Sequence, residues 1–295
     1  MKFAVAPIFA RPIPFTAEFV AYLAELLEQL GFESLFVPEH VALPVEYTSR
    51  YPYAESGLPG KDDDWPSPFV VLAFAAAVTK RIKLGTCVTI LPEHHPIHIA
   101  KELATLDVLT GGRTLFGVGT GWNREEMEAL GWDFHTRGKR TDEMIDAIRK
   151  LWKEDGAGYD GSTFSFKPVR INPKPIQKGG IPIIIGGSSR AAARRAARQG
   201  DGFFPVGNPE VTRAAIAMMR EECAKIGRRA DEIELMCGPG DLPEFTKSDT
   251  GKWIKQWEDE GFSRINLPLG YLGLQFDRES LKRGLEQIAK SLKLI

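Results

Sequence analysis

Apolar positions along the chain follow two alternating rhythms. Short runs with few charges and many β-branched or aromatic residues occupy 3–8, 34–38, 83–90, 114–117, 181–186, 202–206, 234–237 and 264–269. Such runs suit strands covered on both faces. Between them the spacing lengthens to three and four residues: Phe19, Tyr22, Leu23, Leu26, Leu27 and Leu30 mark one face of a helix over 17–30. The same period predicts helices over 68–78, 99–109, 125–152 with a break near Gly131, 190–199, 209–226, 250–260 and 278–292. Strand and helix therefore alternate eight times, the count that a closed parallel (β/α)8 TIM barrel requires. An open, doubly wound sheet shares the alternation. The count of eight, with no glycine fingerprint after the first strand, favours the barrel.

Two segments fall outside the repeat. Residues 42–66 are rich in Tyr, Pro and Asp, and 155–180 alternate like a β-hairpin with a proline-rich tail. Both are expected as long insertions on the carboxyl side of the barrel, where ordered lids are found. At 295 residues the chain suits one barrel domain with insertions. A formal net charge of -1 supplies no long-range attraction for nucleic acid or an anionic membrane. Three cysteines without CxxC spacing argue against a disulfide framework and a structural zinc site. The opening MKFAVAPIFARPIPF lacks a signal-peptide core, and no apolar run approaches membrane-spanning length. The expectation is a soluble, cytoplasmic protein with a small-molecule partner.

Candidate chemistry sits where strands end. The turn holding Gly117, Gly119, Thr120, Gly121 and Trp122 leads into a helix, as do Gly186, Gly187, Ser188 and Ser189. Backbone N–H groups at such helix starts form anion sites, and turns on neighbouring strands would share one phosphate. Plain turning and capping remains the other reading of these residues. The spacing is not that of a Rossmann fingerprint. Glu39 and His40 close the second strand in FVPEH, at the rim where barrel enzymes keep their catalytic groups. His94 and His98 have a metal-like i, i+4 spacing, but Pro96 between them disfavours helical geometry there and a metal is not expected. No strand end offers the lysine that a barrel aldolase would need. Trp65, Phe69 and Trp122 could line a pocket for a flat ring, although aromatics are more often core.

The stretches FESLFVPEH, RIKLGTCVTILPEHHPIHIAKELATLDVLTGGRTLFGVGTGWNREEM, RGKRTDEMIDAIRKLW and PIIIGGSSRAAARRAARQGDGFF together resemble the luciferase-like flavin and deazaflavin oxidoreductases over nearly the whole chain. The resemblance implies a TIM barrel holding coenzyme F420, with FMN as the alternative, and a phosphate on the turns after strands four and five. It implies a non-prolyl cis peptide at Cys87–Val88, or one residue earlier at Thr86–Cys87, backing the cofactor ring. It places His40 as acid/base residue and Glu39 as an acidic cofactor contact. The family's sugar-phosphate dehydrogenases carry a glutamate where this chain has Trp122, so a more hydrophobic substrate is expected. The implied activity is hydride transfer by an F420-dependent oxidoreductase. An FMN-dependent monooxygenase, or a cofactor-binding protein without turnover, are the alternatives. The resemblance also implies a homodimer.

Overall fold

The computed structural model describes residues 1–52, 63–239, 242–245 and 250–295. In chain order the elements are β1 (Lys2–Ala6), α1 (Ala17–Gln29), β2 (Ser34–Val37), α2 (Pro68–Val78), β3 (Lys83–Thr86), its short continuation β4 (Thr89–Ile90) and α3 (Pro96–Thr110). Then follow β5 (Thr114–Gly119), α4 (Arg124–Ala129), α5 (Arg137–Lys153), β6 (Ala157–Asp160), β7 (Ser165–Val169), β8 (Ile183–Gly186) and α6 (Arg190–Gln199). The last are β9 (Gly202–Phe204), α7 (Pro209–Lys225), β10 (Glu234–Cys237), α8 (Thr250–Asp259), β11 (Arg264–Pro268) and α9 (Arg278–Ser291).

Strand order is β3-β2-β1-β11-β10-β9-β8-β5, and β5 returns to β3 through Leu84 beside Thr114. Every pairing around this circuit is parallel, so eight strands close a barrel and all their carboxyl ends lie on one rim. Inside it Ala4, Ala6, Phe36, Leu115, Ile184, Phe204 and Met236 pack as a separate small core. The larger apolar layer lies between strands and helices.

The opposite end is closed by charge. Arg264, 1% exposed, donates to both carboxylate oxygens of Glu33 at 3.0 Å and to Glu234 at 3.1 Å. Lys2 and Lys83 pair with the same two glutamates at 2.6 and 3.3 Å. Four of these five residues open a strand, so the cluster plugs the amino end of the barrel.

Several boundaries differ from those the pattern predicts. The run 83–90 is interrupted at Cys87–Val88, whose peptide bond is cis, the first of the two expected registers. β5 extends two residues beyond 117, taking Val118 and Gly119 into the strand. α3 starts three residues early because Pro96 occupies the first helical position, where its missing N–H costs nothing. The segment 125–152 breaks at Gly131, at φ +81°, giving the short α4 and the long α5.

The insertion 155–180 corrects an expectation. Its hairpin is there, β6 against β7, but it follows a helix rather than a strand. α5 has by then carried the chain back to the amino end of the barrel, and the tail is rooted there: the Gln177 side-chain amide donates to Thr114 O at the start of β5 and to Asp107 near the end of α3. Lys174 is committed to the carbonyls of Leu151 in the last turn of α5 and of Glu154 just past it. The hairpin also reaches the start of α3, with Phe166 6.5 Å from His95, and Lys101 of α3 donates to Asn172 O in the tail. The insertion 42–66 does follow β2 at the carboxyl rim, and its residues 53–62 lie outside the described part.

Candidate functional site

The loop after β2 carries Glu39 and His40, both buried at the rim. His40 Nδ1 lies 2.6 Å from a carboxylate oxygen of Glu126, and the other oxygen of Glu126 accepts the N–H groups of Val41 and Ala42 at 2.7 and 3.1 Å. His40 Nε2 has no partner among the described residues. The ring is wedged edge-on between Trp65 and Trp122, with centroids at 4.8 and 5.7 Å. Tyr47 and Tyr51 pack edge-on against Trp122, completing an aromatic wall.

Glu39 turns away from His40. Its Oε2 accepts from Ile90 N at 2.8 Å and contacts His94 Nε2 at 2.9 Å. Burial pushes the His94 imidazole down, but the hydrogen bond and charge of Glu39 outweigh it and hold the ring above its ordinary value. Glu93, buried with neither carboxylate oxygen hydrogen-bonded, is pushed up to about 9 by burial first and then by the charges of Glu126 and Glu39. It is a neutral acid at physiological pH.

Glu126 and Glu93 were missed from sequence. The signal for Glu126 was local: Asn123 caps α4, accepting from Glu126 N at 3.0 Å, which sets Glu126 at the third helical position and turns it toward the preceding loop. Its neighbour Glu125 accepts from Thr48 and Ser49, and these bonds pull its carboxyl down to about 2. Glu125 and Glu126 of α4 thus pin the loop after β2.

The two glycine turns lie side by side, since β5 pairs with β8 at Gly117–Ile184 and Val118–Ile185. Their residues do different things. A Cβ at Gly117 would sit 2.0 Å from Thr86 O, and one at Gly119 or Gly186 would strike Val88 at 2.5 or 2.8 Å. These three glycines therefore make room for the bulge at Thr86–Val88 and are not free turn residues. Thr86 is fully buried, its hydroxyl donating to Gly117 O and accepting from Gly117 N. α4 has only six residues, carries Glu125 and Glu126 in its first turn, and its Arg124 N is already bound by Ser49 Oγ. It does not provide the second anion-binding helix end that its sequence suggests. α6 does have an open one: Gly187 at φ +108° leads into Ser188 and the cap Ser189, with no acidic residue in the first turn. The Ser188 hydroxyl is spent on Val206, donating to its O and accepting from its N, whereas Ser189 Oγ only accepts from Ala192 N, which leaves its O–H and the backbone N–H groups as the anion donors.

Between these groups lies the mouth of the barrel. Cys87 faces Asn266, whose amide nitrogen is 3.6 Å from its sulfur and whose Oδ1 is buried without a partner. Burial pushes the Cys87 thiol up to about 12, so it stays protonated and is no thiolate nucleophile. His98 packs against His95 at 5.9 Å, apart from the Glu39–His94 pair, and no cluster of three metal-ligating residues occurs among the described residues.

Residues 5–240 match the model of the luciferase-like monooxygenases. The chain belongs to this family. A relative in Mycobacterium tuberculosis, itself uncharacterized, is 36% identical over 246 residues and 82% of each chain. The FMNH2-dependent dimethylsulfone monooxygenase of Pseudomonas putida is 33% identical over 70% of this chain and 53% of its own. The F420-dependent glucose-6-phosphate dehydrogenase of Microbacterium testaceum is 32% identical over 72% and 60%. Among solved structures, the coenzyme F420-dependent tetrahydromethanopterin reductase of Methanopyrus kandleri superposes with a TM-score of 0.76 at 17% identity, covering 98% of this chain and 97% of that one. A monooxygenase from Streptomyces bottropensis reaches 0.74 at 24% identity, with 99% of both chains covered. These structural likenesses bear on the fold, the TIM barrel described above. Among the described residues no helix is long and apolar enough to cross a membrane.

Proposed function

We propose that this chain is an oxidoreductase that transfers a hydride between bound coenzyme F420 and a small hydrophobic organic substrate, with FMN-dependent oxygenation as the second reading. The carrying observation is His40: a buried imidazole at the barrel mouth, fixed at Nδ1 and free at Nε2, on the rim that also holds the open N-terminus of α6. The second reading is favoured by the relative that uses FMNH2, the first by the relative that uses F420.

The residues present fit such a cofactor. Gly121, Gly187, Ser188, Ser189 and the first amides of α6 would take its phosphate, with Gly119, Thr120 and Gly186 beside them. The Cys87–Val88 bulge, with Thr86 behind it and the unpaired Asn266 Oδ1 nearby, would back the ring. Bound there, the cofactor supplies the hydride chemistry. His40 Nε2 accepts or returns the proton on the substrate oxygen, which is general acid–base work suited to an imidazole. Glu39 holds Ile90 N and His94, so its part is to fix the floor of the site. Trp122, Trp65, Tyr47 and Tyr51 exclude water and select an apolar substrate. The working unit is a homodimer.

Titration of the purified protein with FMN and with F420, followed by fluorescence quenching, tests the cofactor. Micromolar binding of F420 and not FMN supports the first reading, and the reverse the second. His40→Ala should bind the same cofactor with unchanged affinity and lose turnover by about 100-fold or more. Unchanged turnover would remove His40 from the mechanism, and binding without turnover in the parent protein would mark a passive cofactor carrier.

A further inference from the structure

The buried carboxylate of Glu126 is shared between a side chain and a backbone. Oε2 contacts His40 Nδ1 at 2.6 Å, and Oε1 receives the consecutive N–H groups of Val41 and Ala42. The residue is wholly buried, which shields these oxygens from bulk water. A carboxyl that receives two backbone N–H groups is built as an acceptor, and in its ionised form its third partner also brings a hydrogen. A neutral imidazole has only one hydrogen to give. If Nδ1 carries it, Nε2 is left with a lone pair.

We propose that Glu126 is the positioning residue of His40: it fixes the Nδ1–H tautomer, so that Nε2 is the nitrogen that exchanges the proton, and it ties that ring to the first residues of the substrate loop. The inference rests on the role given to His40 above and adds the group through which that role is set. When Nε2 takes a proton from a substrate hydroxyl, an O–H bond breaks and an N–H bond forms. The resulting imidazolium then lies against the Glu126 carboxylate, and the reverse step returns the proton to oxygen. The remaining acidic groups nearby do not compete. Glu39 is spent on Ile90 N and His94, and Glu93 is protonated in the neutral range. Trp65 and Trp122 flank the ring edge-on and resist its rotation, but neither reaches Nδ1 with an acceptor. Tautomer choice therefore falls to Glu126.

Nitrogen-15 NMR of protein labelled at its five histidines reads the tautomer directly, without cofactor or substrate, with His40 assigned by its loss in His40→Gln. The parent protein should show His40 with a protonated, pyrrole-type Nδ1 and a pyridine-type Nε2 at pH 8. Glu126→Gln, whose amide can donate as well as accept, should lose this single tautomer, giving a mixture or the Nε2–H form. Glu126→Asp, which keeps the carboxylate, should restore it at least in part. An Nε2–H His40 in the parent protein overturns the proposal, as does a Glu126→Gln protein that keeps the parental tautomer. Should Glu126→Gln fail to fold, the parent spectrum and Glu126→Asp still decide. Failure of the acid–base reading looks different: His40→Ala would retain turnover while the Nδ1–H tautomer stood.

Discussion

Glu93 shows how burial sets chemistry one residue at a time. Its carboxyl is buried beside Glu39 and Glu126 and pushed up to about 9, whereas in the unfolded chain it titrates near about 4.3. Between those values the folded protein keeps a proton that the unfolded one has released. This contribution to stability is therefore fully present below the unfolded value and lost as pH rises toward 9. Glu93→Gln keeps the shape and removes the ionisation. Melting curves from pH 5 to pH 9 should show the variant gaining steadily on the parent. A constant difference across that range would mean that Glu93 is charged throughout. The sequence marks Glu39 and His40 by their place at a strand end, but Glu93 reads as one more loop carboxylate. Its environment comes from Glu126, thirty-three positions along the chain.

Elements close the barrel in two chemically different ways. At the carboxyl rim the loops leave polar groups such as His40 Nε2 available, whereas at the amino end Arg264 satisfies Glu33 and Glu234 at once. Burial raises both glutamates, but the hydrogen bonds and charge of Arg264 on Glu33, and the charge of Arg264 with the hydrogen bonds of Lys2 and Ser263 on Glu234, prevail and hold them below the ordinary carboxylate value. Their contribution is present above the unfolded carboxylate value and lost as pH falls below it. Arg264→Met leaves the carboxylates without their shared partner. It should cost about 2 to 3 kcal/mol at pH 7, below the full penalty for a buried pair because both glutamates keep some solvent contact. Urea titrations should also find the loss shrinking toward pH 3. A loss independent of pH would make Arg264 a packing residue only. The periodic pattern places the strands that bear these groups, but which residues open them together is set by barrel closure.

For the whole molecule the outward face of α2 is the feature that calls for a partner. Val70, Ala73, Phe74 and Ala77 are exposed with no polar residue among them, and Val108 and Leu109 are exposed on the neighbouring α3. Such an exposed apolar patch marks an interaction surface, and a second copy of the chain is the occupant that the homodimer proposal requires. Light scattering should give twice the 32.7 kDa chain mass, falling to one chain mass in Val70→Glu/Phe74→Glu with melting temperature largely kept. A parent protein that scatters as one chain would end the homodimer proposal. The sequence by itself determined the alternation of strand and helix, the eight barrel strands, the hairpin and the strand-end position of His40, because these depend on local periodicity and turn chemistry. Tertiary structure decided the rest: that 155–180 is rooted at the amino end, that Gly117, Gly119 and Gly186 yield space to a bulge, and that Glu126 rather than Glu39 holds His40. Those outcomes depend on which distant segments the closed barrel brings within a few ångströms of one another, and spacing along a single chain carries no measure of that distance.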